Sequence, residues 1–141
     1  MNASIAEAMQ DAVALHQSGR YDEAARIYEQ VLAAVPGHTD SLHLLGLIDA
    51  IRGNFDLAQQ RISQAIQLAP ATAVYHGNLG GVFRQTGRFS EALGCYREAL
   101  RLDPGSADAH VGLGISLKKL GRLDEATAAF RRAVAIHPRL F

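Results

Sequence analysis

The strongest constraint on the fold of this chain is the regular spacing of its glycines and prolines. Glycines recur every 34 residues, at Gly19, Gly53, Gly87 and Gly121. Prolines keep the same period, at Pro36, Pro70, Pro104 and Pro138. A fixed period of this length predicts one supersecondary unit copied end to end, with each copy burying its apolar face against its neighbours. We therefore expect an extended scaffold whose function lies on its surface.

The prolines divide the sequence into four units that have no insertions between them. The units are residues 5–38, 39–72, 73–106 and 107–140, which form a single array over residues 1–141. Within each unit, an apolar pattern at helical spacing leads up to the glycine, and a second pattern begins just after it. Glycine can adopt the left-handed conformation that ends a helix. The sequence therefore predicts four helix pairs, with helices of about 14 residues.

Small residues recur where the paired helices should approach each other closely. The first helices carry Ala12, Gly46, Gly80 and Gly114, and the second helices carry Ala24, Ala58, Ala92 and Ala126. Large residues that would fill the remaining space in the second helices are Tyr28, Ile62, Tyr96 and Phe130. Leucine in place of Gly80 should overpack this contact, at a cost of about 1–3 kcal/mol.

The third unit carries the residues of a known repeat. It resembles a tetratricopeptide repeat at the signature positions Leu79, Gly80, Phe83, Ala92, Tyr96, Ala99 and Pro104. The resemblance implies an all-α fold, an α-solenoid of four helix-turn-helix tetratricopeptide repeats that forms a right-handed superhelix. It also implies that the first helices line a concave groove. Asp49 departs from the pattern, and we expect it to pair with Arg52 or an arginine of the preceding helix, or to lie near solvent.

The groove positions that the resemblance implies carry many apolar side chains. The predicted peptide-binding residues are Met9, Val13, His43, Leu44, Leu47, Ile51, Asn78, Arg84, Val111, Ile115 and Lys118. Exposed apolar surface of this kind marks interaction sites. We expect the groove to suit an amphipathic helix or an extended peptide with apolar anchors and some acidic character. The alternative is that this surface closes on itself or is covered by a second copy of the chain.

Composition narrows the class of partner. Lys and Arg (14) balance Asp and Glu (14), so the chain lacks the basic surface of proteins that bind nucleic acid or anionic membranes. The first ten residues lack the basic region and apolar core that are typical of a signal peptide, and no segment is apolar enough for us to expect it to cross a bilayer. Cys95 is the only cysteine, which fits a reducing compartment. We expect a cytoplasmic protein that binds a protein or peptide, with no nucleic acid and no membrane partner.

Residues that could carry chemistry do not form an arrangement typical of catalysis. No two histidines on one predicted helix have the i, i+4 spacing of a zinc clamp. Two glycine-rich stretches, 77–81 and 112–114, fall inside predicted helices rather than in a loop after a strand. His76 and His110 occupy equivalent positions, where we expect packed interior rings. The sequence therefore predicts no catalytic residues, no metal ligands and no cofactor.

The ends of the sequence give separate expectations. Ser4 and Glu7 have the spacing of a capping box, which predicts the start of the first helix. After Pro138 no polar end unit follows, although solenoids need one for solubility. We therefore expect either further chain beyond Phe141 or self-association through this end.

Three functions remain open. The first is a non-catalytic scaffold that binds a partner in its groove. The second is an N-terminal substrate-recruiting or assembly region of a larger enzyme of the glycosyl-, sulfo- or methyltransferase type. The third is a structural unit that assembles with itself through a head-to-tail contact.

Overall fold

The computed structural model describes residues 2–140, and the side chains of residues 4–139. This part of the chain folds into helices and contains no strand. The helices are α1 (Asn2–Gln17), α2 (Tyr21–Ala34), α3 (Thr39–Ile51), α4 (Phe55–Leu68), α5 (Ala73–Gln85), α6 (Phe89–Leu102), α7 (Ala107–Lys119) and α8 (Leu123–Ile136), followed by a 3₁₀ turn at Pro138–Leu140. The predicted all-α fold of four helix pairs is confirmed.

The turns inside each pair depend on the periodic glycines. The φ angles of Gly19, Gly53, Gly87 and Gly121 lie between +78° and +81°. Side chains with a Cβ atom rarely adopt this left-handed conformation, whereas glycine adopts it without strain. The predicted role of the four glycines in ending the first helices is confirmed.

The start of the first helix differs from the sequence-based expectation. Helix α1 begins at Asn2, so Ser4 lies inside its first turn rather than at the capping position before it. The predicted capping box at Ser4 and Glu7 is therefore wrong. The spacing of these two residues fits a capping box, but a serine caps a helix only where its own backbone is non-helical.

The helices group into two compact units. Unit 1 spans Met1–Pro70 and contains α1 to α4, and unit 2 spans Ala71–Phe141 and contains α5 to α8. Each unit therefore holds two of the four repeats. A buried cluster in unit 1 consists of Ala12, Ala24, Ala25, Tyr28, Leu45 and Ile48. In unit 2 a buried cluster consists of Leu93, Leu117, Ala126 and Ala129, with Leu113 and Phe130 packed against it.

The small residues of the first helices allow the paired helices to pack closely, as the sequence predicts. A Cβ atom added at Gly46 would lie 2.8 Å from Ile62 Cγ1, and one at Gly114 would lie 2.7 Å from Phe130 Cε1. Both distances are shorter than ordinary contacts between carbon atoms. The nearest neighbour is in each case the large residue of the second helix. These contacts fix how closely the two helices of a pair can approach.

Asp49 is buried in unit 1 and is 2% exposed. Its partner is Arg61 of α4, whose Nη1 donates to Asp49 Oδ2 at 2.6 Å. Arg52 instead pairs with the exposed Asp22. Asp49 therefore forms an ion pair as expected. The prediction that its partner is Arg52 or an arginine of the preceding helix is wrong. The reason is that Asp49 faces the helix that follows it, where Arg61 can reach the carboxylate.

Candidate peptide-binding surfaces

Unit 1 carries five of the predicted apolar residues on its first helices. We call them the apolar stripe: Met9, Val13, Leu44, Leu47 and Ile51. Three of them, Met9, Val13 and Leu44, line a groove of about 400 Å³ that is built from residues of α1 and α3. Ile51 is 55% exposed, and Leu47 is half-buried. Apolar side chains that stay in contact with water lose that contact when a partner covers them, which favours binding.

His43 is the predicted groove residue that the structure places in the interior. It is only 5% exposed, so it contributes little to a binding surface. Burial lowers the pKa of His43 to about 4, because the charged imidazolium would lose its hydration. Asp40 opposes this shift and His16 adds to it, both with smaller effects. His43 is therefore a neutral core residue at neutral pH.

The buried imidazole makes the stability of unit 1 sensitive to acid. The unfolded chain takes up a proton at the ordinary histidine pKa of 6.5, whereas folded His43 takes one up only near pH 4. Stability is therefore complete above the unfolded pKa and falls as the pH drops below it. We expect a loss of about 2 kcal/mol between pH 7 and pH 5. Urea unfolding of the wild type and of His43→Gln over this range tests the effect, and equal pH slopes for both would contradict it.

Unit 2 contains a larger hollow of about 580 Å³ between α5 and α7, with α6 beneath it. Three glycines line it, Gly77 and Gly81 on α5 and Gly112 on α7, and the ring of Tyr96 forms its floor. We call this site the glycine hollow. Its apolar walls are Val74, Ala99, Val111 and Ile115. The predicted residues Asn78 and Arg84 also line it.

The three glycines differ in how tightly their surroundings are packed. A Cβ atom at Gly112 would lie 2.3 Å from Tyr96 Cζ, so only glycine leaves room for the ring. A Cβ atom at Gly77 would lie 3.9 Å from Ala99 Cβ, and one at Gly81 would lie 3.8 Å from the Tyr96 hydroxyl oxygen. Those are ordinary van der Waals distances. Packing therefore explains Gly112 and leaves Gly77 and Gly81 unexplained.

The glycine hollow has a basic end and an acidic end. Because Gly77 lies beside Ala99 while Arg84 lies beside Tyr96, α5 and α6 run antiparallel. Arg84 Nε donates to the Tyr96 hydroxyl at 3.1 Å, and Arg84 forms no ion pair within residues 2–140. Asp103 and Asp108 line the opposite end of the hollow. A charged partner would therefore meet opposite charges at the two ends.

Apart from the buried His43, the predicted site residues separate into three groups. Met9, Val13 and Leu44 share the groove of unit 1, and Asn78, Arg84, Val111 and Ile115 share the glycine hollow. Leu47, Ile51 and Lys118 lie on first helices but line neither space. Residues that the sequence-based prediction missed are Gly77, Tyr96, Asp103 and Gly112. A comparison of each residue in unit 1 with the residue two periods later would have revealed that unit 2 carries glycine where unit 1 carries large apolar residues.

Other groups that could carry chemistry are buried or half-buried. His110 is 6% exposed, and its Nε2 lies 3.1 Å from the Pro104 carbonyl oxygen, which agrees with the interior ring expected there. Its equivalent His76 is half-buried. Burial, with a smaller contribution from Glu91, raises the pKa of Cys95 to about 11, which disfavours the reactive thiolate. Among the residues described, no helix has the length and apolar character to cross a membrane.

Comparison with known families decides what kind of repeat this is. Three family models, each described as a tetratricopeptide repeat, match residues 12–40, 38–105 and 79–140. Together they cover nearly the whole chain. The chain belongs to the tetratricopeptide-repeat family. A comparison of this tetratricopeptide-repeat sequence with curated proteins gives no match.

Solved structures share the tetratricopeptide-repeat fold of this chain. A crystal structure of MamA has a TM-score of 0.85 at 18% identity and covers 96% of this chain and 79% of its own. MamA from Desulfovibrio magneticus RS-1 gives 0.84 at 21% identity, with 96% and 76% covered. A mutant O-GlcNAc transferase of Thermobaculum terrenum gives 0.80 at 34% identity, with 82% and 22% covered. The solenoid fold is confirmed, and tetratricopeptide repeats of this fold support a role in protein interaction.

Proposed function

We propose that the chain is a non-catalytic scaffold that binds a peptide or helix of a partner protein on the exposed faces of its first helices. The observation that carries this proposal is the apolar stripe of unit 1. A folded chain gains stability by burying apolar side chains. Large apolar side chains that remain in contact with water therefore indicate a surface that a partner covers. The balanced formal charge favours protein over nucleic acid as the partner.

The repeat register makes Leu47 equivalent to residues that line a groove or a hollow in the other repeats. Leu47 is equivalent to Val13, Gly81 and Ile115, and all three of these line the groove of unit 1 or the glycine hollow. Its half-buried side chain leaves part of its apolar surface accessible. A carboxylate at this position would have to lose its hydration when a partner covers it, which is costly. Leu47 is therefore the residue whose replacement tests the proposal most simply.

We expect Leu47→Asp to weaken partner binding by at least about tenfold while the helical content stays unchanged. The measurement is a pull-down from extract of the producing cells, followed by titration of the captured protein. The matched control is Gln64→Asp, which places the same carboxylate on an exposed polar face of α4. Equal binding by the wild type and Leu47→Asp would contradict the proposed surface.

The proposed compartment is the cytoplasm. A single cysteine, Cys95, leaves the chain without an internal disulfide, which fits a reducing environment. Fractionation of producing cells tests this assignment, and recovery of the protein outside the cytoplasm would contradict it.

A recruiting region of a larger enzyme is the second candidate function. It is favoured by the 34% identity with the O-GlcNAc transferase, of which this chain covers 22%. In such a protein, these repeats would hold the substrate while another domain performs the chemistry. A coding frame that continues beyond Phe141 into a catalytic domain would support this candidate. The same surface would then bind the substrate protein.

Self-assembly is the third candidate, and the exposed face of α8 favours it. Leu123 is 60% exposed, and Val134 and Ile136 are each 41% exposed. Leu123 and Val134 lie about three turns apart on one side of α8, so a second copy that covers this side would bury both of these side chains. Light scattering over a concentration series distinguishes this candidate, because a strict monomer at high concentration would contradict it.

A further inference from the structure

The two units carry different residues at equivalent positions of their first helices. A shift of two repeat periods along the sequence makes Met9 equivalent to Gly77, Val13 to Gly81, and Leu44 to Gly112. The three large apolar side chains that line the groove of unit 1 are thus all replaced by glycine in unit 2. The groove lined by the three large side chains has a volume of about 400 Å³, and the hollow lined by the three glycines has a volume of about 580 Å³.

We propose that the glycine hollow is a binding pocket for one large apolar side chain of a partner peptide, preferably aromatic, flanked by an acidic residue on one side and a basic residue on the other. This inference rests on the proposed function, because it assumes that a partner peptide binds to the first helices. It specifies which part of the chain selects the partner peptide and which side chains that peptide must carry.

The first argument is the choice of glycine inside a helix. Gly77 and Gly81 lie within α5, where glycine is a poorer helix former than any residue except proline. Their surroundings would accept a Cβ atom at 3.9 Å and 3.8 Å without displacing a neighbour. Helix packing thus does not require the absence of a Cβ atom at these two positions. The space that they leave open is available to a ligand.

The second argument is the shape and chemistry of the hollow. Its floor is the ring of Tyr96, which Gly112 allows to lie close to α7. Its walls are aliphatic, with Val74 and Val111 on the two first helices. An aromatic side chain in this space would contact the Tyr96 ring and aliphatic groups on both sides. A single large apolar anchor inserted in a pocket is the common form of an interaction hot spot.

The third argument is charge complementarity along the hollow. Arg84 uses its Nε to bind the Tyr96 hydroxyl, which orients the guanidinium at one end. It forms no ion pair with any carboxylate of the described residues, so the Nη atoms are available to an acidic group. Asp103 and Asp108 at the opposite end would attract a basic group. These charges favour a peptide whose acidic residue lies at the Arg84 end of the hollow and whose basic residue lies at the Asp103 end.

The test begins with a display library of random peptides selected on the unmodified chain. We expect enrichment of peptides in which a large apolar residue stands between an acidic and a basic residue. A selected peptide, labelled with a fluorophore, is then titrated against Gly77→Met combined with Gly81→Val, which copies Met9 and Val13 of unit 1 into the hollow. We expect binding to weaken by at least about tenfold.

Two further variants make the result specific. Arg84→Gln should weaken the binding of peptides that carry the acidic residue. It should not change the binding of otherwise identical peptides in which glutamine replaces that acidic residue. Gly94→Met is the matched control, because Gly94 lies on α6 outside the hollow and a Cβ atom added there would meet nothing within 4 Å. It should bind as the wild type does. Circular dichroism verifies that each variant is folded.

The outcomes separate this inference from the proposed function. We call Gly77→Met combined with Gly81→Val the filled variant. If the peptides bind the filled variant as tightly as the wild type but lose binding to Leu47→Asp, the pocket is refuted and the proposed function stands. If the peptides lose binding in the filled variant but not in Leu47→Asp, the pocket stands and the apolar stripe is refuted. If no peptide is enriched, or neither variant changes binding, both are refuted.

Discussion

Replacing Arg61 with alanine is expected to destabilise the protein by about 3 kcal/mol. The variant leaves Asp49, which is 2% exposed, without the cation that now lies 2.6 Å from its Oδ2 atom. Removing one partner of a buried ion pair costs much more than the pair contributes, because a buried charge is left uncompensated. Urea unfolding followed by circular dichroism measures the loss.

Two further substitutions show whether burial is the cause. Arg61→Leu combined with Asp49→Leu removes both charges, and we expect it to recover most of the stability that Arg61→Ala loses. Arg52→Ala removes the partner of Asp22, whose side chain is 82% exposed, and should change stability by less than about 1 kcal/mol. Equal losses for Arg61→Ala and Arg52→Ala would contradict this explanation.

Leucine in place of Gly114 is expected to destabilise the protein by about 3 kcal/mol, because it overpacks the contact between α7 and α8. The three atoms nearest to an added Cβ all belong to the Phe130 ring, at 2.7 Å to 2.9 Å. A rigid ring cannot give way as the end of a flexible side chain can, so the helices would have to separate. Thermal or urea unfolding measures the effect.

The control for this substitution is a helical glycine that has no close neighbour. Gly94 lies in α6, and an added Cβ atom there would meet nothing within 4 Å. We expect Gly94→Ala to raise stability by about 1 kcal/mol through helix propensity. Combining Gly114→Leu with Phe130→Ala should restore part of the loss by making room. If Gly114→Leu left stability unchanged, the close approach of α7 and α8 would be contradicted.

The sequence was sufficient to predict the arrangement of helices in each repeat. The left-handed turn at Gly53, for example, follows from a glycine placed between two apolar patterns of helical spacing. The close contact at Gly46 likewise follows from a small residue that recurs at one position. These features repeat every 34 residues, so each of four copies supports the same interpretation.

Features that depend on single copies were harder to predict. The partner of Asp49 was missed because several arginines lie near it in sequence, and only the packing of α3 on α4 selects Arg61. The burial of His43 was missed because the repeat register alone does not fix how deeply a polar ring lies. The glycine hollow requires Gly112 of α7 to lie against Tyr96 of the preceding repeat, and the pattern within one repeat does not reveal this contact.

The central claim is that the first helices carry the binding function, and the affinity of a captured partner for paired variants tests it most directly. The dissociation constant is measured for the wild type, Leu47→Asp and Gln64→Asp under identical conditions. We predict that Leu47→Asp raises it by at least about tenfold and that Gln64→Asp leaves it unchanged. Loss of affinity in Gln64→Asp with full affinity in Leu47→Asp would place the function on the second helices and contradict the claim.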